Sequence, residues 1–324
     1  MANYNNLIEV TQAFSSESAC IEHLEKIRWN NKPVCPFCNS EKTYKTNRGY
    51  KCANRECYKK FTVKVGTFFE STKIPLQKWF VAMYLITSHK KGLSSLQLSK
   101  DIDVSQKTAW YMLHRIREML KEKNSELLQG EVEADETFVG GQNKNKHKNK
   151  RTDETQGRSL KNKSVILGLY ERKGNITSIP IEDTSQKSIY PTVIEKVKKG
   201  SELITDEWGG YNILNKQYIH NSVKHSQGEY VNGKYHTNNL EGFWSLLKRG
   251  IVGIYHSVSE KHLEKYCNEF NFRYNTRISS EENRIDKAIS QCKGRIRYKE
   301  LVAKTLSEIT FKPVESVQMG LFAI

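Results

Sequence analysis

Asp206 closes the short apolar run Leu203-Ile204-Thr205, and Glu241 follows 35 positions later in His236-Thr-Asn-Asn-Leu-Glu-Gly-Phe-Trp244. An earlier apolar run, Val132 to Phe138, carries Asp135. Three carboxylates from two strand-like segments and one helix-like segment suit a two-metal phosphoryl-transfer site, because Mg²⁺ takes oxygen ligands and carboxylates can bridge a pair of ions. The chemistry implied is an attack on phosphodiesters.

Those carboxylates need elements to bring them together. Asp206 is placed to emerge at the C-terminal end of a strand, where ligands of open sheets gather, although an aspartate there can also simply cap a turn. From Asn238 to Arg249 the apolar stripe Leu240, Phe243, Trp244 and Leu247 predicts an amphipathic helix. Glu241 and Lys248 then sit two turns apart on one flank of the stripe. The carboxylate can hold a metal while the cation grips a substrate phosphate; the plainer reading is an ordinary surface pair. Strands are expected at 132–139, 164–170 and 175–181, the last two turning at Lys173-Gly174, then a helix at 185–199 and a strand at 202–205. Strand, strand, strand, helix, strand and later helices is the order of an RNase H-like mixed sheet.

Upstream, Cys35-Pro-Phe-Cys38 and Cys52-Ala-Asn-Arg-Glu-Cys57 read as the two knuckles of a zinc ribbon over 35–62, with Tyr50 and Phe61 able to pack around it. Zinc would supply the folding energy that so short a segment cannot draw from a core. Pro75 opens a helix carrying Trp79, Phe80, Met83 and Tyr84. Ser94 or Ser95 caps a helix to about Ile102, Asp103-Val104 turns, and Ser105 caps another to about Leu120. Ala109, Met112, Leu113, Ile116 and Leu120 are expected to face inward, and Lys107, Tyr111, His114 and Arg115 outward. That is a helix-turn-helix pattern whose second helix is a candidate DNA reader, with an ordinary helical hairpin as the alternative.

Lys and Arg number 52 against 36 Asp and Glu, a formal net charge of +16, which favours a polyanionic partner. Part of that charge falls in the Lys/Asn-rich stretch 142–163, a basic loop in which Lys144, Lys146, Lys148 and Lys150 are candidate DNA contacts, as is Arg249 beyond it. No apolar run approaches a membrane span or a signal-peptide core, so a cytoplasmic, nucleoid-associated protein is expected, with no membrane partner. Seven cysteines, four of them in the paired knuckles, fit metal binding in a reducing compartment better than a disulfide framework. Cys20, Cys267 and Cys292 are left as structural thiols.

The ribbon, the segment Ser105-Gln-Lys-Thr-Ala-Trp110, Ala134-Asp-Glu-Thr-Phe-Val-Gly-Gly141, Thr205-Asp-Glu-Trp-Gly-Gly-Tyr211 and His236 to Gly250 together resemble the zinc-ribbon DDE transposases of bacterial insertion sequences, relatives of the eukaryotic Merlin transposons. The similarity runs from about residue 15 to residue 303. It implies an α+β multidomain chain: residues 1–70 with the ribbon, 71–128 with the helix-turn-helix, an RNase H-like catalytic domain at 129–280, and a C-terminal extension at 281–324. It also implies cleavage of the element's own ends and joining of the 3′ hydroxyls to target DNA, with two Mg²⁺ or Mn²⁺ besides one structural Zn²⁺. Asp135, Asp206 and Glu241 fall on the acidic positions and Lys248 on the accompanying lysine, while Asn238, one turn before Glu241, could share or replace its role. Because neighbouring strand side chains face opposite ways, only one of Asp135 and Glu136 is expected in the site, and the family pattern selects Asp135. The implied partners are double-stranded DNA, both terminal inverted repeats and target, and further copies of the chain. The competing reading is a non-catalytic DNA-binding regulator, for which three convergent carboxylates would have no use.

Overall fold

The structure, a computed structural model, describes residues 4–122, 126–140, 163–223, 231 and 233–302. Lys144, Lys146, Lys148 and Lys150, most of the expected basic loop, and residues 303–324 lie outside them.

Short helices at the N-terminus start on side-chain caps. Asn6 accepts the Glu9 amide at the head of α1 (Leu7–Ala13), and Ser16 that of Ala19 at the head of α2 (Glu17–Trp29). A three-stranded antiparallel sheet follows, β1 (Thr43–Thr46), β2 (Gly49–Cys52) and β3 (Lys60–Phe61). Its small core joins Cys35 and Cys52 to Tyr50 and Phe61, whose rings stack at 5.8 Å, with Trp29 edge-on to both.

Pro75 has no side-chain acceptor with which to cap α3 (Leu76–Ser88), which is instead capped from outside: Glu17 Oε2 accepts the Leu76 amide at 2.7 Å. α4 (Ser95–Asp101) and α5 (Gln106–Met119) begin at Ser94 and Ser105, whose hydroxyls accept amides three residues on. Between them Asp103 takes a left-handed turn at φ 49°. Ala109, Met112, Leu113, Ile116 and Leu120 all enter the helical core, as their spacing requires.

That core also holds Ile285, Ala288, Ile289 and Cys292 from the segment with α9 (Glu281–Ser290), and Cys292 accepts the Phe68 amide at 2.9 Å. Divisions at 70/71 and 280/281 thus cut through one hydrophobic core. α10 (Tyr298–Val302) ends the described chain.

A mixed sheet forms the remaining unit: β4 (Glu131–Gly140), β5 (Lys163–Glu171), β6 (Ile176–Ile181), β7 (Glu202–Asp206) and β8 (Ile219–Val223), in the order β6-β5-β4-β7-β8. β4, β5 and β6 run antiparallel, whereas β7 and β8 join β4 in parallel. One face packs on α6 (Gln186–Lys196) and on a 3₁₀ helix, Gly209–Lys216, through Ile189, Val193, Tyr211 and Leu214. The other packs on α7 (Asn238–Gly250) and α8 (Glu260–Asn275) through Leu240, Phe243, Trp244, Leu247, Leu263 and Phe270. Cys20, Cys267 and Cys292 are buried free thiols.

Candidate active site

The parallel ladder between β4 and β7 ends at the pair Glu133 and Ile204. Asp135, Glu136 and Asp206 stand just past it, where β4 and β7 no longer pair with each other although β4 stays paired to β5 and β7 to β8. One oxygen from each carboxylate lies within 4.8 Å of the others. Asp135 faces α7, whose Trp244 Nε1 donates to its Oδ2 at 2.9 Å. Glu136 faces the opposite layer and accepts the Tyr211 hydroxyl on Oε2 at 2.6 Å. Asp206 Oδ1 accepts the Trp208 amide at 3.0 Å.

The expectation that only one of Asp135 and Glu136 can enter the site is therefore corrected. Their side chains do leave opposite faces of β4, but beyond the last β4–β7 pair no β7 backbone is paired alongside, and both carboxylates reach Asp206. Burial pushes the Asp135 carboxyl up to about 6, with the charges of Asp206 and Glu241 adding to it and the Trp244 bond opposing. Glu136 rises to about 7, again mainly by burial, with Asp206 and Asp135 adding and the Tyr211 bond opposing. Such a set of oxygens gains from a cation.

α7 is seated on β4 and β5 by complementary shape and by hydrogen bonds. Gly168 on β5 lies beneath it, and a Cβ there would meet Trp244 Cζ2 at 2.4 Å. Near its start, Asn239 Nδ2 donates to Glu133 Oε1 at 2.7 Å. This seating sends Glu241, Ser245, Lys248 and Arg249 to an open cleft of about 480 Å³, whose other lining residues are Asp135, Glu136, Thr137 and Trp244. Glu241 and Lys248 thus share a cleft with Asp135. Asn238 is exposed at the start of α7 and lies outside that lining.

The expected reading face of α5 is mostly covered. Lys107 is exposed and Tyr111 half-buried, but Arg115 is only 4% exposed and His114 1%. The assignment of Arg115 to DNA is a correction: its guanidinium lies 5.8 Å from the Trp79 ring centroid and 5.2 Å from that of Tyr111. The His114 ring lies tilted against those of Trp110 and of His262 of α8, with centroids 4.1 and 4.7 Å away. Elsewhere, the Sγ atoms of Cys35, Cys38, Cys52 and Cys57 lie within 4.8 Å of one another.

Sequence reasoning passed over Glu136 as a site member, the Tyr211 hydroxyl and the Trp244 indole as a donor. Tyr211 ends the segment Thr205 to Tyr211, so its place in that motif was the available signal. Trp244 was legible only as part of an apolar stripe.

A protein in transposable element ISH50 of Halobacterium salinarum is 30% identical over 276 residues, covering 81% of this chain and 92% of the relative. The model of the ISXO2-like transposase domain matches residues 127–275. The chain belongs to the ISXO2-like transposase family. A transposase zinc-ribbon domain matches residues 15–60, so the family's ribbon and the cysteine cluster coincide. A transposase-like protein of Haemophilus influenzae is 26% identical over 104 residues, covering 32% of this chain and 83% of that one. A Mos1 transpososome structure aligns at 12% identity over 66% of this chain and 79% of that chain, with a TM-score of 0.26, too low to establish a shared fold. Among the described residues of this family member, no helix is long and apolar enough to cross a membrane.

Proposed function

We propose that the protein is a DNA transposase that cleaves the ends of its insertion sequence and transfers the freed 3′ hydroxyls to target DNA by two-metal phosphoryl transfer. The observation that carries this reading is the meeting of Asp135 on β4 with Asp206 at the C-terminal end of the adjoining parallel strand β7, beside a cleft that Asp135 shares with Glu241 and Lys248. An RNase H-like description of the sheet is supported by its order, an antiparallel meander followed by two strands parallel to the first.

The donors suit Mg²⁺ or Mn²⁺, being carboxylate oxygens clustered closely enough for one hard cation to bridge them. When bound, two such ions supply an activated water or hydroxyl and a stabilised leaving oxygen. Asp135, Asp206 and Glu241 hold them, and Trp244 fixes the orientation of the Asp135 carboxylate. Lys248 and Arg249, on the cleft's helical wall, hold the phosphate backbone against the carboxylates. Asn238 is a weaker candidate for the ligand role of Glu241.

Cys35, Cys38, Cys52 and Cys57 hold one structural zinc. Two of the sulfur pairs stand at 3.7 Å and 3.5 Å. A tetrahedral site with Zn–S of about 2.3 Å has edges of about 3.8 Å. Lys107 and Tyr111 contact the element ends, and the 142–163 segment adds non-specific charge. Two ends cut in one assembly call for more than one copy of the chain.

The test uses the full-length protein, linear duplexes carrying the element's ends, and Mg²⁺ or Mn²⁺. Asp206→Ala is expected to bind those ends like the unaltered protein while neither nicking nor joining them. Equal strand cleavage by both proteins sinks the site, and binding without cleavage by either favours a DNA-binding regulator.

A further inference from the structure

The carboxylate cluster contains a member to which the family resemblance gives no part. Glu136 reaches Asp135 and Asp206 from the opposite face of β4, so that a single cation could lie among oxygens from both faces of that strand, beside the end of β7. Mg²⁺ and Mn²⁺ favour octahedral oxygen cages, and with bonds of about 2.1 Å two ligands on one ion are about 3 to 4.2 Å apart. Oxygens within 4.8 Å of one another need only small side-chain rotations to meet that geometry.

A second observation concerns how Glu136 is held. The Tyr211 hydroxyl donates to Oε2 at 2.6 Å, and the Tyr211 side chain has no solvent exposure. Tyr211 stands on the 3₁₀ helix that begins three residues after Asp206, so the segment that presents one carboxylate also orients the next. A carboxylate has a second oxygen to offer when one is so engaged. An indole, a phenol and a backbone amide donate to the three carboxylates, and none of these donors carries a charge to offset theirs.

We propose that Glu136 is itself a ligand of the divalent-metal centre, additional to Asp135, Asp206 and Glu241, and that Tyr211 is the residue that positions it. The proposal rests on the two-metal reading above. Glu241, on the exposed flank of α7, lies outside the cluster formed by Asp135, Glu136 and Asp206. An ion can accordingly settle between β4 and the end of β7 through Glu136 in DNA-free protein, before the α7 side of the cleft is engaged.

The experiment titrates the zinc-loaded, full-length protein with Mn²⁺ alone, without DNA, by calorimetry and electron paramagnetic resonance, and follows the melting temperature with and without Mn²⁺. Glu136→Gln is expected to weaken Mn²⁺ binding about a hundredfold, and Tyr211→Phe about tenfold, the scale of lost metal ligands and their supports. Glu136→Gln should also raise the melting temperature of the metal-free protein, because it removes one of three crowded charges, while shrinking the rise that Mn²⁺ produces. A merely structural glutamate would not give that crossed pattern. Should Glu136→Gln bind Mn²⁺ within twofold of the unaltered protein while Asp206→Asn loses it, Glu136 is no ligand and the metal centre stands without it. Should neither change affect Mn²⁺ binding, the proposal falls together with the two-metal reading.

Discussion

Trp244 Nε1 on α7 donates to Asp135 Oδ2 on β4 at 2.9 Å, so the helix that carries Glu241 and Lys248 is tied directly to the first aspartate. The bond consumes one lone pair of a carboxylate that has an oxygen within 4.8 Å of those of Glu136 and Asp206. Trp244→Phe keeps most of the packing and removes the donor. A hydrogen bond to a charged group contributes roughly 1.5 to 3 kcal/mol. Strand cleavage is therefore expected to fall by about tenfold or more, with affinity for the element ends unchanged in a gel-shift titration. Gly168→Ala is expected to act at the same place: its Cβ would press on Trp244 Cζ2. Overpacking of this kind costs about 1 to 3 kcal/mol, read as a lower urea midpoint. Unchanged cleavage by Trp244→Phe would show that Asp135 is oriented by something else.

A second tie runs between the helical core and α8. Glu269, fully buried, accepts Arg117 Nε of α5 at 2.5 Å and the Tyr255 hydroxyl at 2.5 Å, and it also pairs with Arg273. Arg117 is 2% exposed, so Glu269→Gln would leave buried guanidinium charge without its counter-ion. Breaking such a network by removing one partner costs about 3 to 5 kcal/mol, whereas replacing Arg117, Glu269 and Arg273 together with apolar residues should cost much less than the sum of the single changes. Chemical unfolding of the single and triple variants measures this. Simple additivity would mean the network is not what joins α5 to α8.

Much of the frame was legible because its signals are local. The stripe Leu240, Phe243, Trp244 and Leu247 fixes α7 and its buried face, and Ser94 and Ser105 fix the starts of α4 and α5. What escaped is set by distant partners. Arg115 and His114 look outward on an isolated α5, but α8, about 150 positions on, covers His114, and Trp79 with the Ile296 carbonyl accounts for Arg115. Glu136 escaped because strand alternation says which face a side chain leaves, not where it arrives once the neighbouring strand has ended. The role of residues 281–292 in the helical core escaped for a related reason, since Ile285 and Ile289 have no partners close in sequence.

The raised carboxyls give the metal-free protein a pH dependence of known sign. Asp135 titrates near 6 in the folded state against an ordinary 3.8, and Glu136 near 7 against 4.5. The folded state therefore holds protons more tightly, so these groups favour folding below about pH 4 and that contribution is lost as pH rises through 6 to 7. The difference in melting temperature between Asp135→Asn and the unaltered protein, measured with chelator, should grow in favour of the variant from pH 4.5 to pH 7.5. Saturating Mn²⁺ should remove the variant's advantage, because the cation replaces the protons. A difference independent of pH would mean that these carboxyls titrate as in the unfolded chain.

DNA recognition should divide between the start of α5 and the basic 142–163 segment. Lys107 is exposed in the first turn of α5, the part of a reading helix that meets base edges, whereas Arg115 is enclosed. Lys107→Ala is expected to lower affinity for the element ends by about 1 to 3 kcal/mol with little change for random duplex. Neutralising Lys144, Lys146, Lys148 and Lys150 should weaken both alike and flatten the salt dependence by about 0.9 in log–log slope for each DNA phosphate that is no longer neutralised. Arg115→Ala should instead lower thermal stability, since it removes a buried cation from the Trp79 and Tyr111 rings, and leave the specificity ratio alone. If Lys107→Ala reduced binding to random and element DNA equally, α5 would be a phosphate-contacting helix, and sequence reading would pass to the zinc ribbon, where the half-buried Lys51 lies against the exposed rings of Tyr44 and Tyr58.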